Sequence, residues 1–139
     1  MFVTLFYGIL DTKTLTFNFA NAGHNPLIIY NPETKELVEI LTKGKPMSMF
    51  KADKFDPALE EKEIVLKKGD LVIQYTDGIT EAMNHQKEQF TPERLIECVK
   101  KFGNLAAQEF VDALVNEVDT FVAGYSQSDD INVVTFKVM

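Results

Sequence analysis

Residues 69–84 read Gly-Asp-Leu-Val-Ile-Gln-Tyr-Thr-Asp-Gly-Ile-Thr-Glu-Ala-Met-Asn. Leu71 to Tyr75 is a short apolar run bounded by turn residues, which predicts a buried strand. Lys67-Lys68-Gly69-Asp70 is the turn that feeds it. Thr76-Asp77-Gly78 carries the chain out again, into a helix start over 79–83. A carboxylate at a strand end, Asp77, is held by a rigid element and still free to face a cleft. The glycine after it lets the backbone turn sharply and leaves room for a ligand close by.

Upstream of this stretch the chain reads as strands. Residues 2–10 are rich in β-branched and aromatic side chains, and Asp11-Thr12-Lys13-Thr14 is a turn. Over 15–20, Leu15, Phe17 and Phe19 alternate with Thr16 and Asn18. Asn21 to Pro26 turns, 27–30 is a strand, Asn31 to Thr34 turns, and 36–41 is a fourth strand. Short connections make this an antiparallel meander. Residues 42–60, with Gly44, Pro46 and Pro57, read as a mobile surface loop, and 63–66 as a short strand.

Downstream the period changes. Thr91 is a cap residue with Pro92 at the first helical position. Leu95, Ile96, Val99 and Phe102 follow at helical spacing, and Gly103 is a stop. A second helix runs over 106–122, with Phe110, Leu114, Val118 and Phe121 as its apolar stripe. A polar loop, 124–130, leads into a closing strand at 131–138. Antiparallel strands with two amphipathic helices give the α+β class.

At 139 residues the chain is one domain or a piece of one. Apolar residues are 45% and charged residues 25%, the balance of a packed globular protein. The formal charge of −7 disfavours a nucleic-acid partner. It leaves a phosphate substrate open, because a cation inverts the local charge. The one cysteine, Cys98, permits neither an internal disulfide nor a Cys-based zinc site, and the chain reads as cytoplasmic. No apolar run approaches the roughly 20 residues of a membrane span.

The second acidic corner is Ser128-Asp129-Asp130, just before the closing strand. Together with Asp77 it offers the hard oxygen ligands that Mg²⁺ and Mn²⁺ take. Asp and Gly also dominate ordinary turns, so both readings stand at this point. His24 is either a turn residue bonded within its own hairpin or a cleft residue. Glu81 reads as a helix-start residue and His85 as solvated. Met47, Met49 and Phe50 could contact a partner or fill irregular packing.

Four motifs then occur in order. Residues 69–84 resemble a signature of the type GD-x-hydrophobic-YTDG-[IV]-TEAMN. Met1 to Asp11 is similar to a strand of the type M-[FV]-V-T-L-F-Y-G-x-L-D. Residues 21–26 match an NAGHNP turn, and residues 127–131 a QSDDI ending. The chain resembles the SpoIIE-like serine/threonine phosphatases of the metal-dependent PPM (protein phosphatase 2C) superfamily. The resemblance implies an αββα sandwich of two antiparallel sheets flanked by helices. It implies a binuclear Mn²⁺ or Mg²⁺ centre, at which water made acidic by the ions attacks a phosphoserine or phosphothreonine. By motif position Asp77 and Asp129 would be metal ligands, and Asp130 would stand just behind them. Gly78 would keep the backbone clear of the metal, and His24 could lie on the substrate side.

The resemblance also implies an upstream motif, of the type GD-[VI]-x-GHG, whose Asp bridges the two metals. These 139 residues do not contain it, so the expectation is a single phosphatase domain over 1–139 that is N-terminally incomplete and weak or inactive alone. Ser48 stands where the family usually has a Gly, and Asn132 where it more often has Thr. The implied substrate is a phosphorylated regulatory protein, such as an anti-sigma-factor antagonist, in a bacterial stress or sporulation switch. The alternative is a catalytically deficient module that binds a regulatory partner. A third reading is a structural fragment whose acidic loops are turns. An uncovered strand edge makes a homodimer possible.

Overall fold

The computed structural model describes residues 1–49, 51–127 and 129–139. Phe50, weighed as a partner contact, and Ser128, in the second acidic corner, lie outside the described residues. The chain divides into two compact units: Met1–Leu27 with Glu39–Lys68, and Ile28–Val38 with Gly69–Met139.

The first unit is built on three antiparallel strands, β1 (Leu5–Asp11), β2 (Thr16–Ala22) and β5 (Glu61–Val65), in the order β1-β2-β5. The β1–β2 turn closes because the Asp11 carboxylate accepts the backbone N–H groups of Lys13 (2.8 Å) and Thr14 (3.2 Å). Those same bonds, Lys13 first, hold the Asp11 carboxyl below its ordinary range. Alternation in β2 turns Phe17 and Phe19 inward, where both are buried; Phe19 stacks with Phe17 and Phe6, and Phe6 meets Phe17 at a tilt. Each such ring removes enough apolar surface from water to stabilise the fold by about 1.5–3 kcal/mol.

The second sheet has the order β4-β3-β6-β7, from β3 (Leu27–Asn31), β4 (Glu36–Ile40), β6 (Leu71–Tyr75) and β7 (Val133–Lys137). Strand β6 is central and antiparallel to both β3 and β7. Two helices, α3 (Thr91–Phe102) and α4 (Ala107–Val122), form the core of the second unit with it. That core joins Ile28, Leu71 and Ile73 of the sheet to Leu95 and Val99 of α3 and to Phe110, Leu114 and Val118 of α4. The Lys137 ammonium donates to the carbonyls of Gly103, Asn104 and Leu105 at 2.8–3.1 Å and so caps the end of α3. Two antiparallel sheets with helices make the α+β class expected. Among the described residues no helix is long and apolar enough to cross a membrane.

Several local expectations change. The meander breaks after β2, because β2 and β3 pair in different sheets. The Asn21 side chain fixes this exit by donating to the carbonyls of His24 (2.9 Å) and Asn25 (3.0 Å) and accepting from the His24 N–H. Residues 2–4 lie outside β1, and Val3 makes an isolated bridge to Met47. The expected loop over 42–60 contains a short helix, α1 (Ala52–Phe55), and a 3-10 turn at Asp56–Ala58. Asp53 in the first turn of one and Pro57 at the start of the other suit those positions.

The helix expected at 79–83 is α2 (Asp77–Thr80), which starts two residues earlier. Glu81 is therefore at its C-terminal end and not at its start. Thr91 has φ 73° and no side-chain capping bond is made at the start of α3. The Glu93 carboxyl is lowered from its ordinary range by the backbone N–H of Glu93 and then by the Thr91 side chain. His85 is exposed but not free: its Nε2 lies 3.1 Å from the Ala123 carbonyl and its ring meets Tyr125 edge-on. In α4 the fully buried stripe ends in Val122, while Phe121 is half-buried against Phe90 and under Arg94.

Candidate metal centre

The end of β6 is tied to the entrance of β7 by a closed set of short bonds. The Thr76 N–H donates to the Asn132 carbonyl (3.0 Å). The Thr76 hydroxyl accepts from the Asn132 N–H (2.9 Å) and donates to the Asp130 carbonyl (2.9 Å). Gln127 Nε2 donates to the Gly78 carbonyl (3.0 Å). Thr76 thus uses donor and acceptor together, which fixes the loop 129–132 against the turn 76–78 from both sides.

Gly78 is where the two loops touch. A Cβ on Gly78 would fall on the carbonyl of Asp130 and 3.3 Å from that of Asp129. The glycine is needed for close approach of backbone to backbone. Gly78 is buried, whereas Asp77, Asp129 and Asp130 are exposed. The corner is a packed floor of main chain with carboxylates above it. Asp77 opens α2, and its carbonyl accepts from the Glu81 N–H (2.8 Å) and the Thr80 hydroxyl (3.2 Å). Asp129 Oδ1 accepts from the Asp130 N–H (2.8 Å), which leaves its other oxygen for a further partner.

The structure thus gathers Asp77, Gly78, Asp129 and Asp130 at one corner, although 49 to 56 residues separate the bonded partners in sequence. His24 belongs to the first unit. Its ring Nδ1 lies 3.0 Å from Thr4 Oγ1, and its main chain is held by Asn21. Sequence reasoning missed the bridging work of Thr76 and Gln127. Both stood inside quoted motifs, but neither residue type announces a partner so distant in sequence.

Carboxylate oxygens are the donors that Mn²⁺ and Mg²⁺ prefer, so the chemistry of the corner fits such an ion. The donor set is partial. Among the described residues no group of three or more His, Cys, Asp or Glu is arranged to hold a metal.

The Stage II sporulation protein E (SpoIIE) family matches this chain over residues 1–139. Protein IcfG of Synechocystis sp. (strain ATCC 27184 / PCC 6803 / Kazusa) is 33% identical over 145 residues, covering 96% of this chain and 20% of that protein. Phosphoserine phosphatase RsbU of Bacillus subtilis (strain 168) is 30% identical over 84 residues, covering 58% of this chain and 23% of that protein. The chain therefore spans about a fifth of the curated relatives it matches. The fold is similar to the SiaA-PP2C domain of Pseudomonas aeruginosa, at TM-score 0.78 and 18% identity over 94% of this chain and 49% of that one. It is also similar to the Mn-presoaked phosphatase domain of the cell fate determinant SpoIIE from Bacillus subtilis, at TM-score 0.66 and 25% identity over 97% and 56%. Four motifs in order, two antiparallel sheets with helices and a family match across every residue agree, and the chain belongs to the SpoIIE family of PP2C-type serine/threonine phosphatase domains.

Proposed function

We propose that this chain supplies part of the active centre of a metal-dependent protein serine/threonine phosphatase, with Asp77 and Asp129 as ligands of Mn²⁺ or Mg²⁺. The observation that carries the reading is the Thr76–Asn132 and Gln127–Gly78 stitching, which binds the two acidic loops into one corner. A divalent cation held there would supply an acidified water and neutralise charge on the phosphoryl group. The chain's own residues do the positioning. Thr76 and Gln127 fix the loops, Gly78 lets them touch, and Asp130 turns its N–H onto the Asp129 carboxylate, leaving that group one oxygen to offer.

The substrate in this reading is a phosphoserine or phosphothreonine on a regulatory protein, such as an anti-sigma-factor antagonist in a stress switch. The setting is the cytoplasm. RsbU, a phosphoserine phosphatase by name, supports the substrate chemistry. A second copy of the chain would cover the exposed side of β1. The 139 residues belong to a single phosphatase domain in this reading.

A second reading is a phosphatase-like module that binds a regulatory partner without turnover; Asp77 and Asp129 are the two carboxylates it would have to offer a cation. Affinity for a hard cation follows ligand count and charge, so two carboxylates hold Mn²⁺ weakly. Mn²⁺ titration followed by EPR, run beside p-nitrophenyl phosphate hydrolysis, tests both readings. Expected are weak Mn²⁺ binding, slow turnover, and at least about 100-fold loss of binding in Asp77→Asn and Asp129→Asn, beyond the roughly 10–100-fold cost of losing a group behind a ligand. Unchanged Mn²⁺ binding in both variants overturns the site. Fast metal-dependent turnover that Asp77→Ala abolishes overturns the deficiency.

A further inference from the structure

The chain leaves α4 through a strained residue. Ala123 stands at φ 49° and ψ 40°, and Gly124 follows at φ 82°. Glycine takes the left-handed conformation at little cost and alanine does not, so an alanine persists there where its surroundings hold it. The Ala123 N–H donates to the Asp119 carbonyl (3.0 Å). The Ala123 carbonyl faces His85 Nε2 at 3.1 Å. A carbonyl only accepts, so Nε2 carries a proton and donates. Just beyond, Tyr125 packs against the core of the second unit and meets the His85 ring edge-on, with centroids 5.5 Å apart.

His85 itself is presented on a stiff turn. Asn84 Oδ1 accepts from the N–H groups of Gln86 and Glu88, both at 3.0 Å, and the Asn84 side-chain amide donates to the Glu88 carboxylate (2.9 Å). The main chain closes the same turn: the Asn84 N–H donates to the Glu88 carbonyl (3.0 Å) and the Phe90 N–H to the Ala82 carbonyl (2.8 Å). This turn follows directly on α2, which Asp77 opens. Ala123 and Tyr125, in turn, lie just ahead of Gln127 and Asp129. Gln127 donates to the Gly78 carbonyl in α2. The segment leaving α4 is thus gripped from the α2 side at two points, by His85 at its start and by Gly78 further on.

We propose that His85 is a positioning residue for the acidic corner. Its imidazole N–H fixes the exit from α4 and so sets how far the Asp129 carboxylate stands from that of Asp77. His85 acts through Ala123 and Tyr125. The placing of the segment follows from this geometry; its consequence for an ion rests on the reading of the corner as a metal site.

The test is hydrogen exchange of the 139-residue chain in EDTA, read by NMR at the amides of Ala123, Tyr125, Asp130 and Asn132, all of which donate within this region. Loss of one hydrogen bond raises local opening by about twofold to tenfold. His85→Ala and His85→Phe are expected to speed these amides by that factor and to leave those of β6 unchanged. His85→Gln, whose side-chain N–H can reach the same carbonyl, is expected to restore protection. His85 is exposed, so none of these variants opens a cavity. Mn²⁺ titration followed by EPR is expected to show affinity weakened by a similar factor in His85→Ala and His85→Phe and recovered in His85→Gln. Unchanged exchange in His85→Ala, an equal rise at the amides of β6, or faster exchange with unaltered Mn²⁺ affinity overturns the proposal. If the unaltered chain binds no Mn²⁺, the metal reading fails, and the exchange alone decides whether His85 holds the segment.

Discussion

Gly78 carries more of the corner than its size suggests. The neighbours of its missing Cβ are main-chain carbonyls of Asp130 and Asp129, which cannot rotate away as a side chain would. Gly78→Ala therefore has to push loop 129–132 outward and stretch the bonds of Thr76 and Gln127. Overpacking of this kind costs about 1–3 kcal/mol. The expected outcome is a lower midpoint in thermal unfolding together with loss of Mn²⁺ binding by the corner. A variant with wild-type stability and wild-type Mn²⁺ affinity would contradict the close packing of the two loops. Asp77 and Gly78 were legible from sequence because a strand end, a carboxylate and a glycine fall together. Thr76 was not, because its work depends on Asp130 and Asn132 at the far end of the chain.

Helix α3 shows how an element sets the chemistry of a residue it carries. Cys98 faces the core with Leu95 and Val99, 7% exposed. Burial, reinforced by the Glu117 carboxylate on α4, pushes its thiol from an ordinary 9.0 up to about 11. The folded state thus keeps its proton where the unfolded chain has lost it. Stability from this group is complete below pH 9 and is lost as pH rises toward 11. Denaturant unfolding across that range should show a fall of up to about 2 kcal/mol that Cys98→Ala reduces. At neutral pH the native thiol should react with alkylating reagents far more slowly than the unfolded one. A Cys98→Ala protein with the same alkaline slope would refute the assignment. The stripe of α4 was readable at helical spacing, yet its last buried position is Val122 and not Phe121. Phe121 is drawn aside by Phe90 and Arg94, contacts that spacing does not contain.

At the scale of the molecule, the three-stranded sheet ends on β1, whose outward residues are apolar. Leu5, Tyr7 and Ile9 alternate along it and are 45%, 61% and 57% exposed. An edge strand with an apolar face is a ready template for another chain. Light scattering at rising concentration should therefore show mass above the 15.7 kDa of one chain. Ile9→Lys should return it to a monomer without unfolding, since the side chain is exposed. A clean monomer of the unaltered chain at high concentration would count against self-association.

The features that spacing and turn chemistry could reveal were the ones whose causes are local. Strand β6 at 71–75, the periods of α3 and α4, and the acidic turns at 77 and 129 each follow from residues within a few positions of one another. The partition of the strands into two sheets was implied by the family resemblance and not by periodicity, because a meander and a split differ in pairing and not in pattern. The Asn21 side chain decides between them by capturing the turn that follows it. The joining of the two acidic loops arises where distant segments bury each other. Which donor finds an acceptor there is settled by burial and packing across the fold, and no short window of sequence carries that information.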